Sequence, residues 1–414
     1  MRFLFARYRH LVRPADRGPL RVMFVITNMP VGGAETLLVN LVRRLDRSRF
    51  APELCCLKHF GPLGEVLAAE VPAFDGLIAH KYDVAVLGRL TRLLSRRAID
   101  AVVTVGTGGD KMFWGRLAAR AAGVPVILSA LHSTGLPDHV EWPNRLLAPI
   151  TDGFIGVAAA HGDYLARAEG CPPSKVFVIP NGVDTERFSP CEPDPALRQS
   201  LGLLPGQPVA AIVAALRPEK NHELFLRAAA RIARQRPEAR FLVIGDGPRR
   251  GELQRLAAEL GLEHSVLFLG TRADVPQILS LASVLVLSSH MEASPVSILE
   301  ALACAKPVVA TRVGSIPESV EHGGCGYLVT PGDEAELAAR VDQLLGQPEL
   351  AGRMGQTGRE RVVRHASLER MVEGYQDLIE RVYTAKCPES PDESARRTSP
   401  SPAKNTPLSP TGKE

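Results

Sequence analysis

Aromatic residues are scarce, at 5% of the 414-residue chain, so any core must be built mainly from Leu, Val and Ala. No apolar run approaches the ~18 residues that a membrane-spanning helix needs. The longest plain stretch, Val209 to Leu216, has the length of a buried strand. Charge of one sign is also lacking. The formal net charge is only +4, and the first twenty residues, with Arg2, Arg7, Arg9, Arg13 and Arg17 against Asp16, account for all of it. The body is near neutral, which argues against nucleic acid as a partner because a basic stripe is needed to neutralise many phosphates. The seven cysteines are odd in number and show neither C-x-x-C spacing nor a Cys/His ligand run, which speaks against a disulfide framework and a structural metal site. A reducing, cytoplasmic setting is the expectation.

What is present is turn chemistry and alternation. The 36 glycines and 33 prolines imply many tight connections. Apolar β-branched runs at Arg21–Thr27, Asp100–Val105, Val124–Leu131 and Gly153–Val157 alternate with segments of helical period, the pattern of a parallel sheet covered by helices. Ile179-Pro180-Asn181-Gly182 breaks the pattern with a turn, and prolines at 190, 193 and 195 continue the break. Strands then restart at Val209–Leu216, Arg240–Ile244, Val266–Leu269, Val284–Ser288 and Pro307–Thr311. Helices are expected at Asp333–Leu345, capped by a box of Asp333 and Glu336, then at Glu349–His365 and Ser367–Tyr383.

The resulting division has five parts. Residues 1–20 are a basic extension, residues 21–180 a first α/β domain and residues 181–366 a second. Residues 367–385 are a final helix crossing back to the first domain, and residues 386–414 a proline-rich tail too polar to build a core. The extension can lie on an anionic leaflet as a short interfacial helix or fray in solvent; its composition allows both.

Two facing doubly wound domains bring the carboxyl ends of both sheets to one cleft, where such sheets bind ligands. Ser288 to Ala303 is the most informative segment there. Ser294 and Pro295 read as the N-cap and first position of a helix beginning at the cleft edge. Glu292 falls in the loop before that helix and Glu300 in its second turn. Two carboxylates beside free helix N–H groups make a site for a polyol carrying an anion, since carboxylates accept hydrogen bonds from hydroxyls and a helix N-terminus favours phosphate. The competing reading is that both glutamates are solvated helix-surface residues. Gly32-Gly33 likewise reads as a phosphate-approaching loop or as a plain tight turn.

The segment resembles the E-x7-E motif of family 4 retaining glycosyltransferases, over roughly Arg21 to Tyr383. Supporting segments are Pro30-Val31-Gly32-Gly33-Ala34-Glu35, Ile179-Pro180-Asn181-Gly182-Val183-Asp184 with Phe188, Pro218-Glu219-Lys220-Asn221-His222, Gly245-Asp246-Gly247-Pro248 and Pro307-Val308-Val309-Ala310-Thr311. The resemblance implies the GT-B fold: α/β, two facing Rossmann-like doubly wound domains with a C-terminal crossing helix. It implies transfer of a sugar from a UDP- or GDP-linked donor to a glycan or lipid-linked acceptor of the cell envelope, with no cofactor and no essential metal.

Carried over by residue, Glu300 is the ribose-binding carboxylate and Glu292 faces the donor sugar. The backbone around Ser294, Pro295 and Val296 meets the diphosphate, with Gly32 and Gly33 covering it from the opposite domain. Lys220 and Arg217 stabilise the leaving nucleotide, and His132 touches the donor sugar. His290 and His222 are weaker candidates, and Gly106-Thr107-Gly108-Gly109 borders the acceptor side. The chain departs from the family pattern at three places. Ala215 stands where an arginine is usual, with Arg217 two residues on; Ala305 and Ser315 replace common glycines. An epimerase or hydrolase of the same fold, and a non-catalytic sugar-nucleotide binder, are the competing functions.

Overall fold

The computed structural model describes residues 18–80, 83–106, 110–132 and 141–387. The extension before Gly18, the tail after Cys387, most of the Gly106–Gly109 loop and Ser133–Gly135 lie outside the described residues.

The first lobe is a seven-stranded, all-parallel sheet. Its strands are β1 Leu20–Ile26, β2 Phe50–Cys56, β3 Ala73–Phe74, β4 Ala101–Gly106, β5 Val126–Leu131, β6 Gly153–Gly156 and β7 Val176–Val178. Between them run α1 Gly33–Arg44, α2 Gly61–Ala68, α3 Val86–Arg96, α4 Asp110–Ala122, α5 Glu141–Leu147 and α6 Ala159–Arg167. The spatial order is β3-β2-β1-β4-β5-β6-β7.

The second lobe repeats the plan after α7 Pro195–Ser200. Its strands are β8 Val209–Val213, β9 Arg240–Ile244, β10 Val266–Gly270, β11 Val284–Leu287, β12 Val308–Thr311 and β13 Gly326–Val329, in the order β10-β9-β8-β11-β12-β13. Helices α8 His222–Gln235, α9 Arg250–Glu259, α10 Val275–Leu281, α11 Val296–Ala303, α12 Ile316–Ser319, α13 Glu334–Gly346 and α14 Pro348–His365 cover its faces. Both sheets reverse winding direction at one point, β1/β4 in the first lobe and β8/β11 in the second. Such points open a crevice at the carboxyl ends of the strands.

Local chemistry explains where elements stop. β8 ends at Val213, short of the apolar run to Leu216, because the following backbone turns onto a neighbouring loop. Ala214 N–H donates to the Ile244 carbonyl at 3.0 Å and Leu216 N–H to the Asp246 carbonyl at 3.0 Å. A Cβ on Gly245 (φ +130°) would overlap the Ala214 carbonyl, and one on Gly247 would come within 2.6 Å of the Leu216 carbonyl oxygen. The Gly-Asp-Gly segment is therefore a backbone-to-backbone packing device. Ala305 also takes a left-handed conformation (φ +53°), which glycine adopts without steric cost. The capping box on α13 is half made: Asp333 accepts from Glu336 N–H at 2.8 Å, but the Glu336 carboxylate accepts from Thr330 N–H instead.

The last helix, α15 Leu368–Lys386, buries Leu368, Met371, Val372, Tyr375, Leu378 and Ile379 in the same core as Leu37, Leu38 and Leu41 of α1. Each such side chain contributes about 1.5–3 kcal/mol on burial. The chain thus returns to its first lobe. The return segment pairs with the outgoing one: Val183 N–H donates to the Ala366 carbonyl at 3.0 Å and Leu368 N–H to the Val183 carbonyl at 3.0 Å.

Asn181-Gly182 owes its sequence to this pairing rather than to a turn. A Cβ on Gly182 would lie 2.6 Å from the Ser367 carbonyl oxygen and 2.7 Å from Leu368 Cα. Gly182→Ala is expected to push the two inter-lobe strands apart and lower stability by about 1–3 kcal/mol, as overpacking does. Urea unfolding of the two proteins side by side measures this, and equal midpoints would refute it.

Candidate active site

At the switch point of the second sheet, β8 and β11 each continue into a loop that carries one partner of an ion pair. After β8 the chain enters a short 3-10 turn at Pro218–Lys220 and then Asn221, whose left-handed conformation (φ +47°) sets the start of α8. After β11 comes Ser288–Ser294. The Lys220 ammonium Nζ lies 2.7 Å from Glu292 Oε1, and Ser289 Oγ donates to the same oxygen at 2.6 Å. Lys220 is 23% exposed and Glu292 only 7%, so the pair opens to the cleft from the lysine side.

Hydroxyls aimed at backbone carbonyls fix the Glu292 loop. Ser288 Oγ donates to the Asn221 carbonyl at 2.8 Å and Thr311 Oγ1 to the Ser289 carbonyl at 2.6 Å. Ser315 Oγ donates to the Ala293 carbonyl. Gly314 (φ +51°) lets the next strand's loop approach, since a Cβ there would overlap the Glu292 carbonyl oxygen. These supports were not singled out from sequence; small hydroxylated residues at strand ends were the available signal.

α11 begins at Val296, with Pro295 in the N-cap place and no side-chain cap. Ser294 therefore does not cap the helix as expected. Its carbonyl accepts from Asn181 Nδ2 at 3.0 Å, tying the loop to the inter-lobe linker. Glu300, one helical turn and more along α11, has no hydrogen-bond or ion-pair partner for its carboxylate among the described residues. Burial pushes its pKa up to about 7, opposed by the Arg187 charge.

The first lobe supplies the facing wall. Gly32, in extended conformation, precedes α1, and a Cβ on Gly33 would lie 3.7 Å from Val296 Cγ2. The N-termini of α1 and α11 thus face each other across the cleft. Glu35 folds its carboxylate back toward Gly32. Burial raises the Glu35 carboxyl above its usual range, while its own backbone N–H and the Arg217 charge in the opposite loop pull it down. Arg217 itself is exposed, just before the 3-10 turn.

His132 follows β5, its N–H donating to the Gly106 carbonyl at 3.0 Å, and borders Ala34 of α1 and Tyr375 of α15. Burial, and then the His161 charge, lower its pKa to about 4, so it is a neutral imidazole at physiological pH. His222 is buried at the start of α8 with neither ring nitrogen partnered among the described residues, and burial likewise lowers its pKa to about 4. The side chain of His290 is exposed. Among the described residues, no group of three or more His, Cys, Asp or Glu side chains could hold a metal ion. No helix among them is long and apolar enough to cross a membrane.

Comparison with known proteins places both lobes in known families. Residues 193–361 match the family described as glycosyl transferases group 1, and residues 31–187 match glycosyltransferase family 4. A relative from Escherichia coli, UDP-Gal:alpha-D-GlcNAc-diphosphoundecaprenol alpha-1,3-galactosyltransferase, is 29% identical over 323 residues, 74% of this chain and 83% of the relative. The GDP-mannose-dependent alpha-(1-6)-phosphatidylinositol monomannoside mannosyltransferase of Mycolicibacterium smegmatis is 31% identical over 66% of this chain and 74% of its own. Among solved structures, Anabaena HepE in complex with UDP and glucose superposes with a TM-score of 0.76 at 22% identity, covering 87% of this chain and all of that one. That likeness is one of fold, a two-domain Rossmann-like GT-B architecture. With one family match on each lobe and most of the mannosyltransferase's length aligned at 31% identity, the chain belongs to the group 1/family 4 glycosyltransferases.

Proposed function

We propose that the protein is a retaining, metal-independent transferase that moves a hexosyl group from a UDP- or GDP-linked donor to a lipid-linked or glycan acceptor of the cell envelope. The Lys220–Glu292 pair at the β8/β11 switch point, opposite the N-terminus of α1, is the observation that carries the reading. The relatives named above use UDP-Gal and GDP-mannose by name and act on lipid-anchored acceptors.

In this reading the diphosphate lies between the N-termini of α1 and α11, where Gly32, Gly33 and the backbone of Ser294, Pro295 and Val296 meet it. Lys220 and Arg217 neutralise charge as the anomeric C–O bond to phosphate breaks, which is what a metal would otherwise do. Glu292 and the neutral His132 accept and donate hydrogen bonds to the sugar, and Glu300 accepts from the ribose hydroxyls. The acceptor hydroxyl attacks the face being vacated, and its proton passes to the departing phosphate oxygen. No separate carboxylate base is then needed.

Incubation with UDP-, GDP- and ADP-sugars and a soluble acceptor, with the product's anomeric configuration read by NMR, tests the proposal. Retention with full activity in EDTA is expected; an inverted product or activity that returns only with manganese overturns it.

Lys220→Ala should lower kcat by about 10²–10³, the scale for removing a group that stabilises transition-state charge. Glu292→Gln should lower it by about 10². Glu292→Gln keeps the Ser289 contact and should melt near the parent temperature, separating a chemical defect from misfolding, whereas Lys220→Ala leaves Glu292 without its cation and should melt lower.

Glu300 predicts a pH dependence. Its carboxylate is protonated below about 7, and a protonated acid is a poorer acceptor for ribose hydroxyls. The donor KM should therefore rise about tenfold per pH unit below that value, and Glu300→Gln should flatten the profile at the weak-binding end. A donor KM that is constant from acid to neutral pH in the parent enzyme would contradict this role.

A further inference from the structure

Helix α6 starts without a cap of its own. Its N-cap is Ala158, and the run Ala158-Ala159-Ala160 carries no side chain that can accept from the first-turn N–H groups. The acceptor comes from the other lobe. Glu318, on α12, takes hydrogen bonds from Ala159 N–H at 2.9 Å and Ala160 N–H at 2.7 Å, one to each carboxylate oxygen. A carboxylate on a helix N-terminus is a charge-assisted pairing that the helix dipole favours. Because donors and acceptor lie on different lobes, it exists only while the lobes hold this arrangement. The Asn181 bond to Ser294 differs, since Asn181 belongs to the linker.

Each end of this bond leads to one half of the candidate site. On the second lobe, α12 starts at the turn that shapes the Glu292 loop, where Ser315 Oγ donates to the Ala293 carbonyl and Gly314 backs the Glu292 carbonyl. Arg361 Nη2 donates to the Glu318 carbonyl at 2.9 Å and holds α12 on α14. On the first lobe, α6 carries His161, whose Nδ1 accepts from Val157 N–H at 3.1 Å. After burial, the His161 charge is the second cause of the low His132 pKa, so the two rings are near each other. Glu318 itself is exposed, as are Ala159 and Ala160. Neither lobe's core needs the bond, and it can open and re-form.

We propose that Glu318 is a positioning residue: by capping α6 from the opposite lobe, it sets the lobe register in which His132 and Glu292 face one sugar. The inference rests on the proposed function for what those two residues do. Groups on separate bodies act together only when held within about 0.5 Å of the productive geometry. The hinge pairing through Val183, Ala366 and Leu368 fixes one edge of the cleft and leaves rotation about it. Glu318 and Ala159 share with the hinge residues Pro180 and Ala366 the lining of a cavity of about 280 Å³. The two attachments are therefore separated rather than packed as one, and the second limits the rotation that the first allows.

The experiment compares Glu318→Ala and Glu318→Gln with the parent and with Glu321→Ala. Glu321 is a nearby exposed acid paired within its own lobe, with Arg361. With a soluble acceptor, Glu318→Ala should lower kcat about tenfold, the scale of one charge-assisted hydrogen bond, and Glu318→Gln about threefold. Affinity for UDP or GDP should change less than about twofold. The melting temperature should fall by no more than the few degrees that loss of a cap costs. Exchange of the Ala159 and Ala160 amide hydrogens should accelerate in Glu318→Ala, and small-angle scattering without nucleotide should give a larger radius of gyration. Glu321→Ala should match the parent throughout.

An unchanged kcat in Glu318→Ala would overturn the proposal even with faster amide exchange, because the bond would then cap a helix and nothing more. An unchanged radius of gyration would overturn it too. So would nucleotide affinity that falls in step with kcat, which would place the defect in the second lobe alone. A parent protein that transfers no sugar would instead count against the proposed function, and the scattering comparison would still decide whether Glu318 sets the lobe register.

Discussion

One contact organises the rest of the molecule: an ammonium and a carboxylate meeting at the seam where the second sheet reverses its winding. Desolvating such a pair is costly unless both partners keep good hydrogen bonds. Here Glu292 receives two, from Lys220 and Ser289, and both fall on Oε1. Oε2 is left without a protein hydrogen bond among the described residues, and Lys220 has three N–H groups of which one is used. The pair is satisfied enough to be stable and keeps hydrogen-bonding capacity on the cleft side. Apart from Ser289, the surrounding hydroxyls of Ser288, Thr311 and Ser315 bond to backbone carbonyls rather than to the charges, so they set the loop's shape without consuming that capacity.

The second constraint is how the lobes are joined. The outgoing and returning segments pair through Val183, Ala366 and Leu368, and α15 then anchors in the first lobe's core. Beyond that pairing the lobes touch through Val296, which packs against the first lobe's core, and through a few polar groups. Asn181 reaches the Ser294 carbonyl, and the Glu318 carboxylate accepts from the N–H groups of Ala159 and Ala160 at the start of α6. Beside the hinge a cavity of about 280 Å³ separates Val157 and Val178 from Leu299 and Val362. Polar contacts around unfilled space can be remade in another arrangement, unlike a close-packed apolar seam. The fold thus allows the two helix N-termini to approach or separate while the hinge pairing persists.

Much of this was legible in the residues. Buried parallel strands are continuous apolar runs, so β9, β11 and β12 stood out, and the two doubly wound lobes followed from the restart of the pattern after Gly182. β3, two residues long, and β7, with an exposed Val178, offered too little apolar signal. Strand ends were read too long where, as at Ala214–Leu216, apolar residues continue into a loop packed on another loop's backbone. Glu292 and Lys220 could each be named as candidates, but neither their pairing nor the supporting contacts of Ser289, Thr311 and Ser315 could be. The Thr311 and Ser315 contacts join segments 22 residues apart and the Lys220–Glu292 pair joins segments 72 apart, which local pattern does not encode. Glycine was the subtler case: Gly182, Gly245 and Gly314 are needed for close backbone approach, and only coordinates distinguish that from a turn.

Glu300 shows the tension between folding and function most directly. A carboxyl whose pKa is near 7 in the folded chain and 4.5 in a free one binds a proton in the native state that the unfolded chain has released. The native state therefore loses stability as pH rises from about 4.5 to about 7, the reverse of a salt-bridged acid. Among the described residues no neighbour offers the charged form a hydrogen bond, and only the Arg187 charge favours it. A carboxylate left this way gains most from a ligand that brings its own donors, and vicinal hydroxyls do so. The cost of burying Glu300 charged is then recovered on binding, and selectivity follows, because a ligand without those hydroxyls leaves the carboxylate desolvated and unpaired.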